Sequence, residues 1–160
     1  MKTYLEASVE PRNIIVAVDG SENALRAVHF GAMLAKKFGS RLILLHVVQY
    51  QGYFTGPVPT MSKTVDSILE SYRTKAREKA QEWISKLASD LALKDVRIET
   101  QILDDQDTSV VGAIIEYASQ NGVDLIAVGN RGLGGFKRMI LGSVSQGIVT
   151  HANCNVVVVR

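Results

Sequence analysis

Val123-Asp124-Leu125-Ile126-Ala127-Val128-Gly129-Asn130-Arg131-Gly132, with Gly142-Ser143 following after nine intervening residues, joins an apolar run to a glycine-punctuated loop and then to a helical pattern. The apolar run has the length and composition of a buried strand. Strand, glycine loop and helix N-terminus in that order suit an anion. Glycine lets the backbone approach a ligand, and the first amides of a helix have no intrahelical acceptor. Two other phosphate loops do not fit. No lysine follows a glycine at the Gly-x-x-x-x-Gly-Lys-Ser/Thr spacing of a Walker loop. The dinucleotide pattern Gly-x-Gly-x-x-Gly starts at Gly132 and Gly134, but Lys137 takes its third position and it lies far from the first strand.

Upstream, apolar runs alternate with helical patterns. Residues 13–19 read as a first strand and residues 21–38 as a helix, with Ala24, Ala27, Val28, Ala32, Ala35 and Phe38 at helical spacing and Gly39 as its stop. Residues 41–49 form a second strand, too continuously apolar at Leu42-Ile43-Leu44-Leu45 to be half exposed. Residues 50–62, with Gly52, Gly56, Pro57 and Pro59, form an irregular connection of a length that often carries function. A long helix over 64–91 follows, with Ile68, Tyr72, Ala76, Ala80, Trp83, Ile84 and Leu87 on its apolar side. Then come a strand at 96–103, a helix at 108–121 ended by Gly122, a strand at 125–128, a helix at 143–150 and a strand at 156–159. Strands alternating with helices predict a parallel sheet covered on both faces. Right-handed crossovers line the strand carboxyl ends along one edge, where open α/β sheets bind ligands. No internal repeat or second domain is visible, so residues 1–160 read as one domain with 1–12 as an N-terminal extension.

Composition narrows the class. A chain of 160 residues buries roughly 70% of its unfolded surface. Eighteen Lys and Arg against sixteen Asp and Glu give a net charge of +2, with no basic run longer than Lys36-Lys37 or Lys137-Arg138. That dispersal argues against a nucleic-acid partner. The opening residues lack the apolar core of a signal peptide, and no run reaches the roughly eighteen apolar residues of a membrane span. The single cysteine, Cys154, has no internal disulfide partner. The expectation is a soluble cytoplasmic protein without a membrane partner.

Several residues carry two readings. Ser143-Val144-Ser145-Gln146 fits a capping box, yet an anion would compete for the same amides. Gly129 and Gly132 suit a tight turn after a strand, but such a turn does not call for Gly142. Asp19, before Gly20-Ser21, is either a helix cap or a ligand contact. His46 reads as a hydrogen-bonded histidine at a strand end, His151 as a favourable group near a helix C-terminus, and Cys154 as a packing residue. Arg131, Lys137 and Arg138 are the nearest cations to the loop. The acidic residues Asp104, Asp105 and Asp107 suit the start of the following helix rather than a metal.

The full pattern, Gly-x2-Gly-x9-Gly-Ser, resembles the nucleotide-binding branch of the universal stress proteins, and the resemblance extends over nearly the whole chain. Ile14-Ile15-Val16-Ala17-Val18-Asp19-Gly20-Ser21 is similar to that family's opening strand and acidic residue. Leu44-Leu45-His46-Val47-Val48 is similar to its second strand, and Asn153-Cys154-Asn155 with the valines 156–159 to its closing strand. Asn155 stands where many members carry proline. The resemblance implies a Rossmann-like, adenine nucleotide alpha hydrolase-like fold: an open five-stranded parallel sheet of order 3-2-1-4-5. The strands ending near Asp19 and Gly129 are then neighbours. It further implies a site for ATP or another adenine nucleotide, with Mg2+ held through the phosphates rather than by the protein. Ala17, Val18 and Asp19 would meet the nucleoside with Asp19 near the ribose, and the Val47 backbone would meet the adenine edge. Gly129, Asn130, Arg131, Gly132, Gly142, Ser143, Val144 and Ser145 would hold the phosphates. No catalytic residue is implied; the expected role is regulation in a stress response. The resemblance also implies a homodimer through Val156-Val157-Val158-Val159, too apolar for a bare sheet edge. Two alternatives stay open. One is a slow ATPase or nucleotidyl-transfer enzyme at the same site, which lacks a Walker lysine and any evident base beyond Asp19. The other is an interaction module that binds no nucleotide.

Overall fold

The computed structural model describes residues 10–49, 63–91, 95–104, 108–133 and 141–160. Residues 50–62, the acidic positions 105–107 and the cations at 137 and 138 lie outside the described residues. The chain runs β1 (Asn13–Ala17), α1 (Glu22–Phe38), β2 (Arg41–Val48), α2 (Lys63–Leu91), β3 (Ile98–Asp104), α3 (Val110–Gln120), β4 (Leu125–Gly129), α4 (Ser143–His151) and β5 (Asn155–Val159). The five strands form one sheet in the order β3-β2-β1-β4-β5, and every pairing is parallel.

The central strands are apolar along their buried runs, Ile14 to Ala17, Leu42 to Leu45 and Leu125 to Val128, because both their faces are covered. Ile14 and Val16 turn toward α1 and α2, where Ala27, Val28, Ala32, Ala35, Ala80 and Ile84 complete one core. Ile15 and Ala17 turn the other way, onto Ala113, Ile114 and Ala118 of α3 and Ile148 of α4. Each fully buried isoleucine or leucine in these layers contributes about 1.5–3 kcal/mol. Local signals set the helix ends. The Ser21 hydroxyl accepts the Ala24 amide at 3.2 Å to start α1, and Gly39, at φ 67°, ends it in the left-handed region. Ser109 caps α3 by accepting the Gly112 amide.

One expectation about packing fails. The stripe on α2 does not pack along its length: Ala80 and Ile84 are buried, but Ile68 is 49% and Tyr72 67% exposed. At 1.5 Å per residue, a helix of 29 residues spans about 43 Å, whereas an eight-residue strand spans about 26 Å. The first turns of α2 therefore carry the stripe past the sheet it would cover. The two sheet edges also differ. On β3, Glu99 pairs with Arg41 and Arg97, the kind of charge that blunts an edge. On β5 the edge consists of half-buried valines.

Candidate functional site

β1 stands between β2 and β4, with Ala17 level with Leu45 on one side and Val128 on the other. Its continuation leads to α1, while β4 leads to the glycine loop and α4. Here the strand order reverses, and the carboxyl ends leave a crevice between diverging connections. A cavity of 640 Å³ occupies it, within the size range of small-molecule sites.

The β1 side is held by backbone bonds. The Val18 amide donates to the Leu45 carbonyl at 2.8 Å, and the Val18 carbonyl lies 2.7 Å from His46 Nδ1. A carbonyl only accepts, so Nδ1 carries the proton. The His46 ring meets Trp83 edge-on at 5.4 Å. His46 is thus a hydrogen-bonded strand-end residue, as its sequence suggests, though it also borders the cavity. Asp19 does not cap α1; Ser21 does. The Asp19 Oδ1 accepts the Ser21 amide at 2.9 Å and its Oδ2 accepts the Leu133 amide at 3.2 Å, across from the glycine loop.

The loop is closed at its stem. The Asn130 amide donates to the Val159 carbonyl at 2.7 Å, and the Asn130 carbonyl accepts the Gly142 amide at 2.8 Å. Ser145 is only 2% exposed, and its hydroxyl lies 2.9 Å from the Gly142 carbonyl and 3.2 Å from that of Asn130. One hydroxyl proton therefore serves two carbonyls on either side of the loop. The capping-box reading of Ser143 is displaced by one residue: Gly142 is the N-cap of α4, and as a glycine it makes no side-chain cap bond. A serine inside the first turn cannot play the cap, which must stand half outside the helix. Ser143, Val144 and Ser145 border the cavity, with first-turn amides that have no intrahelical acceptor.

The three glycines exist for different reasons. A Cβ at Gly129 would stand 2.7 Å from the Asn23 carbonyl carbon and 2.9 Å from the Ala24 nitrogen, so this glycine lets α1 start against the end of β4. A Cβ at Gly132 would collide with Asp19 Oδ2. At Gly142 the nearest atom it would meet among the described residues is Arg131 Cα at 3.5 Å, and the backbone there, φ −73° and ψ 162°, admits any residue. Among the described residues, neither packing nor backbone angle calls for glycine at that position.

Of the residues singled out by sequence, Ala17, Val18, Asp19, Val47, Gly129, Arg131, Gly132, Gly142, Ser143, Val144 and Ser145 all line the cavity. Asn130 does not: its backbone closes the loop stem, while its Oδ1 is buried without a hydrogen-bond partner. Sequence reasoning missed the far wall, where Val110 and Ile114 of α3 face the crevice with Leu45 and Val128, and it missed Gln49 and Leu133 at the rim. Val110 and Ile114, four apart, read simply as a core stripe. Asp19 and Arg131 are the charged side chains on the cavity wall among the described residues.

Groups away from the crevice follow structural readings. His151 Nδ1 lies 2.9 Å from the Gly147 carbonyl, one turn back in α4. Cys154 packs beside the α3–α4 core, and burial raises its thiol pKa, which makes it a poor nucleophile. Asp104 pairs with Arg77 at 2.6 Å. Among the described residues, no cluster of three or more His, Cys, Asp or Glu could hold a metal, and no helix is long and apolar enough to cross a membrane.

The architecture is that of a Rossmann-like α/β protein with a glycine loop opposite an acidic residue at the switch point. The chain belongs to the universal stress protein family, whose model matches residues 10–160. It is similar to universal stress protein YxiE of Bacillus subtilis, 29% identical over 147 residues that cover 92% of this chain and 97% of that one. Universal stress protein UspA from Lactobacillus plantarum shares the fold with a TM-score of 0.77 at 27% identity, covering 92% of this chain and 97% of the other. A universal stress protein in complex with cAMP matches with a TM-score of 0.56 at 25% identity, over 94% of this chain and 98% of that one.

Proposed function

We propose that this protein binds an adenine nucleotide in the 640 Å³ crevice and works as a cytoplasmic regulator in a stress response, with ATP the leading ligand and Mg2+ held through its phosphates. Gly142 carries the reading. Among the described residues, neither backbone angle nor packing requires a glycine there, unlike at Gly129 and Gly132, and it opens a helix whose N-cap residue has no side chain to cap the first amides. A ligand anion between Gly132 and Gly142 supplies the missing reason. The cAMP complex of a relative supports the adenine assignment.

The phosphate end is too weak to act alone. A helix N-terminus contributes about 0.3–1 kcal/mol toward an anion, up to ~2 in favourable geometry, whereas micromolar affinity needs about 8. The apolar wall of Leu45, Val47, Val110, Ile114 and Val128 gives a base somewhere to bury its faces. The site then recognises a nucleotide rather than free phosphate. Calorimetric titration of nucleotide-stripped protein with ATP and Mg2+ tests this. Micromolar binding is the expected result; a folded protein that takes up no adenine nucleotide would leave the motif as a structural turn and favour an interaction module.

We also infer a homodimer through β5. The Asn155 amide bonds Asp124 and the Val159 carbonyl bonds Asn130. Backbone groups of a strand alternate in direction, so those of Asn155, Val157 and Val159 face β4 and those of Val156 and Val158 face outward. A second copy pairing antiparallel there would extend the sheet and cover the valine edge.

A further inference from the structure

We propose that Asp19 is a positioning residue that holds the arm of the glycine loop in its ligand-ready place. Its functional consequence rests on the nucleotide reading above; the strap itself needs no ligand. The carboxylate is aimed by its own turn. Gly20, at φ 84°, lets the chain bend back, and Oδ1 accepts the Ser21 amide two residues on. That leaves Oδ2 directed at the loop, where it accepts the Leu133 amide at 3.2 Å. The space it occupies is the space a side chain at Gly132 would take. Ser21 adds a second tie, its hydroxyl lying 3.4 Å from the Arg131 carbonyl. Two residues of the β1–α1 turn thereby touch three successive loop residues.

The Leu133 side chain does not anchor this arm by burial. The Leu133 side chain is 74% exposed. The bonds at Asn130, Gly142 and Ser145 close the stem of the loop, not its arm. Without the carboxylate, the arm carrying Gly132 loses its acceptor and populates other positions. Apparent affinity falls with the fraction of molecules holding the competent arrangement, and it falls by one factor for every ligand that needs that arrangement. A residue touching the ribose or a phosphate-borne cation behaves differently, because its loss depends on which of those the ligand carries.

Amide exchange of the ligand-free protein, followed by NMR, reads the strap directly. Leu133 is expected to exchange at least about tenfold faster in Asp19→Ala, the lower end of the scale for one net hydrogen bond to a charged group. Ile15, Leu44 and Ile126 in the sheet should be unchanged. Asp19→Asn keeps the size but leaves one oxygen for two amides, so it should also release Leu133 should Asp19→Ala fold poorly. Gly132→Ala should release Leu133 in the unaltered chain, by displacing the carboxylate, and add nothing in Asp19→Ala. Equal Leu133 exchange with and without Asp19 overturns the proposal. For ligands, AMP, ATP and 2′-deoxy-ATP should all weaken by the same factor in Asp19→Asn. A loss that vanishes with the 2′-hydroxyl, or grows with phosphate number, overturns positioning in favour of direct contact. If the unaltered protein binds no nucleotide, the nucleotide reading and the functional part of this proposal both fall, while the exchange result still decides the strap.

Discussion

Substituting alanine separately at Gly129 and Gly142 should split two properties that the glycine motif combines. At Gly129 the new Cβ would press on backbone atoms of Asn23 and Ala24 at 2.7–2.9 Å, and backbone in the first turn of a helix cannot rotate away. Overpacking of this kind costs about 1–3 kcal/mol. For a domain of this size, each kcal/mol lowers Tm by roughly 2–4 °C, so a fall of about 2–12 °C is expected. At Gly142 two small terms oppose one another. Alanine is a poorer N-cap than glycine by up to ~1 kcal/mol, while a stiffer unfolded chain returns about 0.4–1 kcal/mol. The net change is close to zero, and Tm should move by less than about 3 °C. Yet the Cβ stands over Arg131 Cα, the Asn130 carbonyl and the Gly132 amide, in the gap between the two glycines. Nucleotide affinity should fall at least about tenfold, or ~1.4 kcal/mol. Thermal melting by circular dichroism and calorimetric titration on the same preparations give both numbers. Unchanged affinity in Gly142→Ala would refute the claim that this glycine serves a ligand. A Tm loss there equal to that of Gly129→Ala would show that the fold needs it after all.

Proline along β5 should separate folding from association. Val158→Pro removes an outward amide and should yield a folded monomer, whereas Val157→Pro removes an amide directed at β4 and should lower Tm; light scattering of the unaltered chain should give twice 17.4 kDa, and a monomer at micromolar concentration would contradict the dimer. Glu99 has its pKa lowered, chiefly by its hydrogen bond from Arg41, so it stabilises the fold above its unfolded-state value of about 4.3 and ceases to do so as pH falls through its folded-state value. Glu99→Gln should therefore cost about 0.5–1 kcal/mol in urea unfolding at pH 7, with the difference shrinking below about pH 4; a difference that persists unchanged in acid would rule out the ion pair as its source.

The residues that sequence reasoning located well are those whose role depends on a face or a neighbour. Ile14 to Ala17 and Leu125 to Val128 announce themselves as strands because burial on both sides leaves no polar alternation. Gly39 and Gly122 mark helix ends by chemistry that acts within a few residues, whereas the cap of α1 falls on Ser21 and not on Asp19. What the sequence hides is height along the sheet. Ile68 and Tyr72 obey the same spacing as Ala80 and Ile84, yet the former lie beyond the strands and the latter over them. Val110 and Ile114 have the pattern of core residues and are packed with the α3–α4 core, but their level at the carboxyl edge makes them a cavity wall. The glycines show the same limit. Their spacing marks a loop, but only neighbours from α1 and from the β1–α1 turn distinguish Gly129 and Gly132, whose close contacts explain them, from Gly142, which has no such contact among the described residues. Periodicity assigns a side chain to a face; a binding site also depends on where along that face the covering elements stop. That second coordinate comes from the crossovers, whose geometry no local pattern encodes.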